Sequence, residues 1–301
     1  MSKNVLFTVL LVAIAKIAVG QAKIFEPGLI SGNQAFGLTI SPNGKELLFV
    51  KSYGGRDTLQ IYQSSKINGV WQKPVLAFFA DPNYKQIDPA FSPDGKTILF
   101  NSLTSPQYSF DIYALHQTDT GWTKPFRLSD SINTELSDFY ATISTNKNIY
   151  FTRRTKSNDI YVSHFKDGHY QKAIPLDKTI TYTDFSESNP YISPQEDFII
   201  FFSDLKAGIV GNDLYILNDG FGESDLYISF RKKGKWSYPI NLGEKVNSKT
   251  GEFCPSIDYT TKAFLFSRTE VIENKRVENI YTIPLKELGL KRLKRWAKWD
   301  R

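Results

Sequence analysis

The sequence predicts an all-β protein, a β-propeller of four-stranded antiparallel blades, and three observations carry that prediction. A strand–turn–strand hairpin recurs five times along the 301 residues: LTISPNGKELLF (38–49), DPAFSPDGKTILFNS (88–102), ATISTNKNIYF (141–151), YISPQEDFIIFF (191–202) and PSIDYTTKAFLF (255–266). Each hairpin is followed by the same order of shorter strands. Between them there is little helical periodicity. With Ser41, Ser92, Ser144, Ser193 and Asp258 in register, the spacings are 51, 52, 49 and 65 residues. A repeated unit that cannot bury its own faces must stack against its neighbours around a common core.

The hairpin supplies strands A and B. In Pro93-Asp94-Gly95 the proline presets φ for the first central position of the turn, and the glycine tolerates the positive φ that closes the reversal. Ile98-Leu99-Phe100 then reads as a buried strand. Strand C follows about twenty residues past the turn, as Leu59–Tyr62, Asp111–Tyr113, Asp159–Tyr161, Asp225–Tyr227 and Asn279–Tyr281. A polar reversal such as Asn68-Gly69 or Asp167-Gly168 leads to an aromatic-led strand D, with Trp71, Trp122, Tyr170 and Trp236 at its head. The fifth unit lacks strand D. Counting back from Ser41 places the missing strand in Ala22–Phe25, so the N-terminal segment is expected to close the last blade and leave no open edge. Five blades follow. Six is the alternative, because the 65-residue interval is long, but its excess around 211–223 is too short for four strands. Kelch repeats share the period, yet their glycine doublet occurs once, at Gly54-Gly55.

SPDGKTILF followed by DIY resembles the propeller repeat of TolB and its WD-repeat-like relatives in bacterial envelopes. The W-x-x-P-x-x-L form of strand D is similar to repeats in secreted and OmpA-associated envelope proteins of Bacteroidetes type. The resemblance spans roughly residues 22 to 288. It implies a propeller and says little about function, since propellers host binding and catalysis alike. Neither the α/β domain of TolB nor an OmpA-like peptidoglycan-binding domain finds room in this sequence.

Composition bounds the rest. The 22 Phe and 16 Tyr suit blades that pack face to face. Residues 1–20 read as a signal peptide: Lys3 precedes the apolar run Val5–Ala15, and Ala18-Val19-Gly20 offers a cleavage site. That run is too short to span a bilayer, and no lipid-anchor cysteine follows it. A periplasmic or secreted location is expected. The lone Cys254 reads as a buried thiol without a disulfide. His116, His164 and His169 fall toward the outside of the propeller with no metal-ligand spacing, so neither a metal nor another cofactor is expected. Residues 21–288 form the propeller, and 289–301 a basic amphipathic tail. From Lys286 onward seven Lys and Arg face two acids, which leaves the rest of the mature chain near −1 of the +6 total. The tail has two readings: a terminal helix packed against the propeller with a solvated basic side, or an amphipathic basic helix for an anionic surface, polysaccharide or partner. Export argues against nucleic acid.

Strand polarity places the long D–A and B–C loops on one rim and the short A–B turns on the other face, and long loops on a rigid scaffold usually carry recognition. On that loop rim, Asp138, Glu187 and Glu252 share one register position, with Asp88 close by. Lys51, Arg154 and Arg268 return to it from strand B. Two readings follow: ion pairs and turn caps that hold the blades, or a polar pocket for a charged or sugar-like ligand. The expected function is a monomeric, non-enzymatic binding scaffold for an envelope protein or polysaccharide, engaged at the loop rim and channel mouth. No residue is assigned as catalytic. The alternative is a carbohydrate-active hydrolase that uses the rim carboxylates.

Overall fold

A computed structural model describes residues 21–104, 109–181, 185–204, 208–210, 213–215 and 221–299. Five antiparallel sheets follow one another along the chain as blades. Blade 1 has strands A to D at Ala35–Ile40, Glu46–Tyr53, Thr58–Ile67 and Val75–Leu76. Blade 2 has Gln86–Phe91, Thr97–Ser102, Asp111–Thr118 and Phe126–Arg127. Blade 3 has Asp138–Ile143, Ile149–Arg154, Asn158–Ser163 and Ile174–Pro175, and blade 4 has Glu187–Ile192, Phe198–Ser203, Asp225–Lys232 and Ile240–Asn241. Blade 5 takes strands A to C from Glu252–Asp258, Ala263–Ile272 and Lys275–Pro284, and its strand D is Lys23–Ile24.

The ring closes as expected: Lys23 lies opposite Thr282 and Ile24 opposite Tyr281, and Phe25 N donates to Ile280 O at 2.8 Å. The edge of strand C in blade 5 is therefore covered by a segment about 260 residues away in sequence. Among the described residues of the insertion between strands B and C of blade 4, Gly208–Val210 pairs with Asp213–Tyr215, and the ring has five blades. The leading aromatics sit at the C–D reversal: Trp71 faces Lys66, Trp122 faces Gln117 and Trp236 faces Arg231. Strand D proper starts after the proline that follows them in blades 1, 2 and 4, because proline has no N–H to give to the ladder.

Apolar side chains of strands A, B and C fill the spaces between blades, with Phe49, Phe100, Phe151, Phe201 and Phe266 fully buried at equivalent sites of strand B. The C-terminal segment belongs to this packing. A 3-10 turn (Leu285–Leu288) and a short helix (Leu290–Trp296) set Leu288 and Leu293 against Phe230, Leu242 and Ile283, and Tyr238 N donates to Lys298 O at 2.9 Å. Lys291, Arg292, Lys294 and Arg295 remain exposed. The expected signal peptide, residues 1–20, lies outside the described residues. Among those described, no helix is long and apolar enough to cross a membrane.

Candidate functional site

The carboxylates expected on the loop rim are inside the protein. Asp138, Glu187 and Glu252 have no exposed surface. In blade 3, Arg153 Nε donates to Asp138 Oδ1 at 2.6 Å, and Thr134 N and Oγ1 both donate to Oδ2. Blade 5 repeats the arrangement: Arg268 Nε donates to Glu252 Oε1 at 2.7 Å, and Ser248 donates from its hydroxyl and its N–H. Each guanidinium also reaches the carbonyl of a D–A loop residue, Ile132 or Val246. Each lies over a strand C tyrosine, 4.5 Å from the Tyr161 ring centroid or 4.4 Å from that of Tyr281. Asn133 and Asn247, one residue before the hydroxyl donors, bridge both backbone groups of Ile112 and Leu226 in strand C of the preceding blade.

This is a clamp. It ties strand A, strand B and the D–A loop of one blade to strand C of the blade before it. Burial holds the Asp138 and Glu252 carboxyls above their ordinary values, and the arginine and hydroxyl donors offset only part of that rise. Blade 2 has a neutral form, in which Gln86 Oε1 accepts from Asp81 N at 2.8 Å. Glu187 accepts from Ser203 Oγ at 3.2 Å. Lys51 holds the cation position of blade 1, with its ammonium 4.7 Å from the Tyr62 ring centroid; Ala35 stands where the acid would be.

Arg154 does not belong to the clamp. The A–B turn of blade 3 is one residue shorter than that of blade 1, since Ser144 N bonds Asn148 O whereas Ser41 N bonds Glu46 O. Strand B is thereby advanced by one residue, Arg153 faces Asp138, and Arg154 lies exposed beside the Phe139 ring. The sequence register therefore brings Asp138, Glu252 and Arg268 into clamps, with Glu187 and Lys51 at equivalent places, and leaves Arg154 outside.

Asp88 has a different setting. Every strand A carries a β-bulge four residues before the shared turn position, and the bulge residues Gly37, Asp88, Tyr140, Asn189 and Cys254 all have φ between 48° and 62°. They form a ring around the axis. A Cβ built on Gly37 would stand 3.7 Å from Asp88 Oδ1 and 3.8 Å from Cys254 Sγ. Three bulge N–H groups donate to strand B of the preceding blade: Gly37 to Ser267, Tyr140 to Asn101 and Asn189 to Thr152. On the loop-rim side of the ring the channel is plugged by Phe36, Ile87, Phe110, Phe139 and Phe253, with the Arg56 guanidinium stacked on Phe36 and paired to Glu278.

On the other side the axis opens into a cavity of about 340 Å³. Strand A of every blade lines it, and its mouth lies among the A–B turns at Pro42, Pro93, Thr145, Gln195 and Tyr259. The opening is thus on the face of the short turns, opposite to the rim where the sequence placed it. Most polar groups of the wall are engaged across blades: Thr142 Oγ1 donates to Pro190 O at 2.6 Å, Ser256 Oγ to Leu38 O at 2.7 Å, and Tyr140 OH to Pro255 O at 3.0 Å. Asp258, at the mouth, receives donors from Thr260 and Thr261 on both carboxylate oxygens, and these bonds hold its carboxyl low.

Asp88, at the floor, is raised to about 7. Burial is the main cause, opposed by the charge of Arg56 and by the Tyr140 N–H. Burial also lifts the hydroxyls of Tyr140, Tyr191 and Tyr259 and the Cys254 thiol. No group of three His, Cys, Asp or Glu side chains among the described residues could hold a metal ion. His116 and His169 line a separate groove between blades 2 and 3.

The bulge ring was available to sequence reasoning. At four residues before the turn position stand a glycine, an aspartate and an asparagine, the residue types that tolerate positive φ. Tyrosine and cysteine at the other two positions obscure the pattern. The clamp also had a signal, N-[ST]-x-x-x-[DE], at Asn133–Asp138 and Asn247–Glu252.

No protein-family model matches the chain, and no curated protein matches it in sequence. Solved structures do resemble it. An endo-arabinase from Bacteroides thetaiotaomicron is 12% identical, with 84% of this chain and 94% of that chain covered at a TM-score of 0.51. A protein assigned as TolB from Agrobacterium tumefaciens is 17% identical, with 78% and 70% covered at 0.49. A gluconolactonase from Xanthomonas campestris is 10% identical, with 85% and 87% covered at 0.45. At these identities the likeness is one of fold. The TolB-type repeat read from the hairpins agrees with that fold, a five-bladed β-propeller.

Proposed function

We propose that this protein is an exported, non-enzymatic binding scaffold of the cell envelope, which engages a protein or glycan partner through the axial cavity and the turn face around it. The cavity is the observation that carries the reading. It is concave, walled by one strand from each of five blades, and mixes apolar surface with a few convergent polar groups, as ligand sites do. Its wall is fixed by hydrogen bonds between blades, so it is preformed and loses little entropy on binding. The leader-like residues 1–20 support export. The exposed cations of the terminal helix support attachment to an anionic surface while Leu293 stays buried.

Binding is favoured over glycoside hydrolysis by the state of the carboxylates. Hydrolysis of that kind needs two carboxyl groups able to act on one bond. Asp138 and Glu252 are consumed in clamps, and Asp258 is saturated by threonine donors. That leaves Asp88. The test is capture from envelope extract together with a glycan array, using wild type and Ala90→Tyr. Ala90 occupies the wall position at which blade 4 already carries Tyr191, so the substitution narrows the cavity from the opposite side. Loss of capture in a folded Ala90→Tyr protein supports the reading, and unchanged capture overturns it. Turnover of a glycan that disappears in Asp88→Asn would establish the hydrolase instead.

A further inference from the structure

We propose that the axial cavity receives a cationic group, an ammonium or guanidinium, seated against the Asp88 carboxylate. The inference rests on the cavity being the binding site and specifies the chemistry it selects. Charge is the first argument. Asp88 and Asp258 line the cavity, and among the described residues no Lys, Arg or His does. Asp258 already has four donor bonds at the mouth, so the charge available to a ligand is that of Asp88.

Position is the second. Asp88 is 6% exposed, at the closed end of the cavity, where an entering group meets it last and most fully desolvated. Three further titratable or charged groups bear on it from neighbouring elements. Tyr140 of blade 3 and Cys254 of blade 5 are held neutral by burial. Arg56, from the B–C loop of blade 1, lies on the far side of the aromatic plug and is paired with Glu278. Arg56 offsets only part of the effect of burial on Asp88, so the carboxyl ionises fully only when a cation reaches it from the cavity side.

The lining is the third. Tyr140, Tyr191 and Tyr259 present aromatic and hydroxyl surface, which suits the stem and the head of a protonated amine. An anionic ligand would meet two carboxylates and no cation. A neutral sugar would find most wall hydroxyls already committed between blades. A buried aspartate on a strained bulge, without a full set of donors, is costly to the fold. A cationic ligand relieves that cost.

The same chemistry could arrive as a free amine or as a lysine or arginine side chain of a partner. Isothermal titration of the full-length protein with cadaverine and with the capped peptide acetyl-Gly-Gly-Lys-Gly-Gly-amide distinguishes the two, and the same capped peptide with its lysine Nε acetylated serves as the uncharged control. One of the two cations should bind. Its affinity should fall at least tenfold in Asp88→Asn, and the Nε-acetylated peptide should be weaker than the free lysine by a similar factor. At pH 7 binding should release about half a proton, read from titrations in buffers of different ionisation heat, because Asp88 must ionise to accept the cation. Asparagine tolerates the bulge conformation, so the variant should fold; should it not, Thr39→Tyr, which fills the same cavity, replaces it in the comparison. Absence of binding by both cations, or equal binding to wild type and variant, overturns the inference. If envelope capture is lost in Ala90→Tyr yet unaffected by Asp88→Asn, the cavity remains the site and the cation is wrong. If neither variant alters capture, the cavity itself is wrong.

Discussion

Removing the carboxylate from one clamp should cost far more than removing a surface charge. In Asp138→Ala the Arg153 guanidinium loses its partner while 9% exposed, and Thr134 loses the acceptor for both its N–H and its hydroxyl. Breaking one side of a buried ion pair typically costs about 3–5 kcal/mol, because the remaining charge stays desolvated. The threonine can turn partly to water and adds little beyond that. For a domain of this size each kcal/mol shifts the melting temperature by about 2–3 °C, so a fall of about 6–15 °C is expected. The assay is thermal unfolding by circular dichroism, with Arg154→Ala as control. Arg154 is exposed and unclamped, and its loss should stay within about 0.5 kcal/mol. The double variant Asp138→Leu, Arg153→Met should recover most of the loss, since no buried charge remains. Asp138→Ala melting within a degree of wild type would refute the clamp, as would a double variant no better than the single one. Below its transition the single variant should keep whatever binding the axial cavity shows.

Three further outcomes follow from the geometry. Deleting residues 21–27 removes the strand that covers Lys275–Pro284 and should produce a lower melting temperature and self-association on size exclusion; an unchanged monomer would reject the closure. Asp88 holds its proton more tightly folded than unfolded, so its contribution is fully present below the ordinary carboxylate range and is lost as pH rises through about 7. Asp88→Asn should therefore gain stability relative to wild type between pH 5 and pH 8, by about 2–3 kcal/mol, since about two pH units at about 1.4 kcal/mol each lie in that window, and a pH-independent difference in unfolding free energy would contradict the assignment. Truncation after Leu288 strips Leu293 from the blade 4–5 core and should cost about 2–3 kcal/mol in chemical denaturation, together with reduced retention on anionic vesicles; unchanged stability would show that the helix does not pack as described.

What the sequence determined by itself is what short-range physics governs. The Pro-Asp-Gly type of turn, the two-residue alternation and the recurring Asp-Ile-Tyr strands act over a few residues at a time. They were enough for the blade, the count of five and the closing strand at Lys23–Ile24. The register also brought Asp138, Glu187 and Glu252 to one position per blade, and it failed only at Arg154, where one turn is a residue shorter. Which of those carboxylates meet water was not legible, because it depends on the D–A loop folding back through Asn133 and Asn247 to a strand of another blade. The open end of the channel was hidden for the same reason. Phe36, Phe139 and Phe253 come from three distant stretches of chain and meet only when the ring has closed, and their plug shuts the loop rim. The cavity is thereby left to the turn face, with Asp88 at its floor. A side chain's exposure is set by every element that packs over it, and in a propeller those elements lie one or more blades apart in sequence.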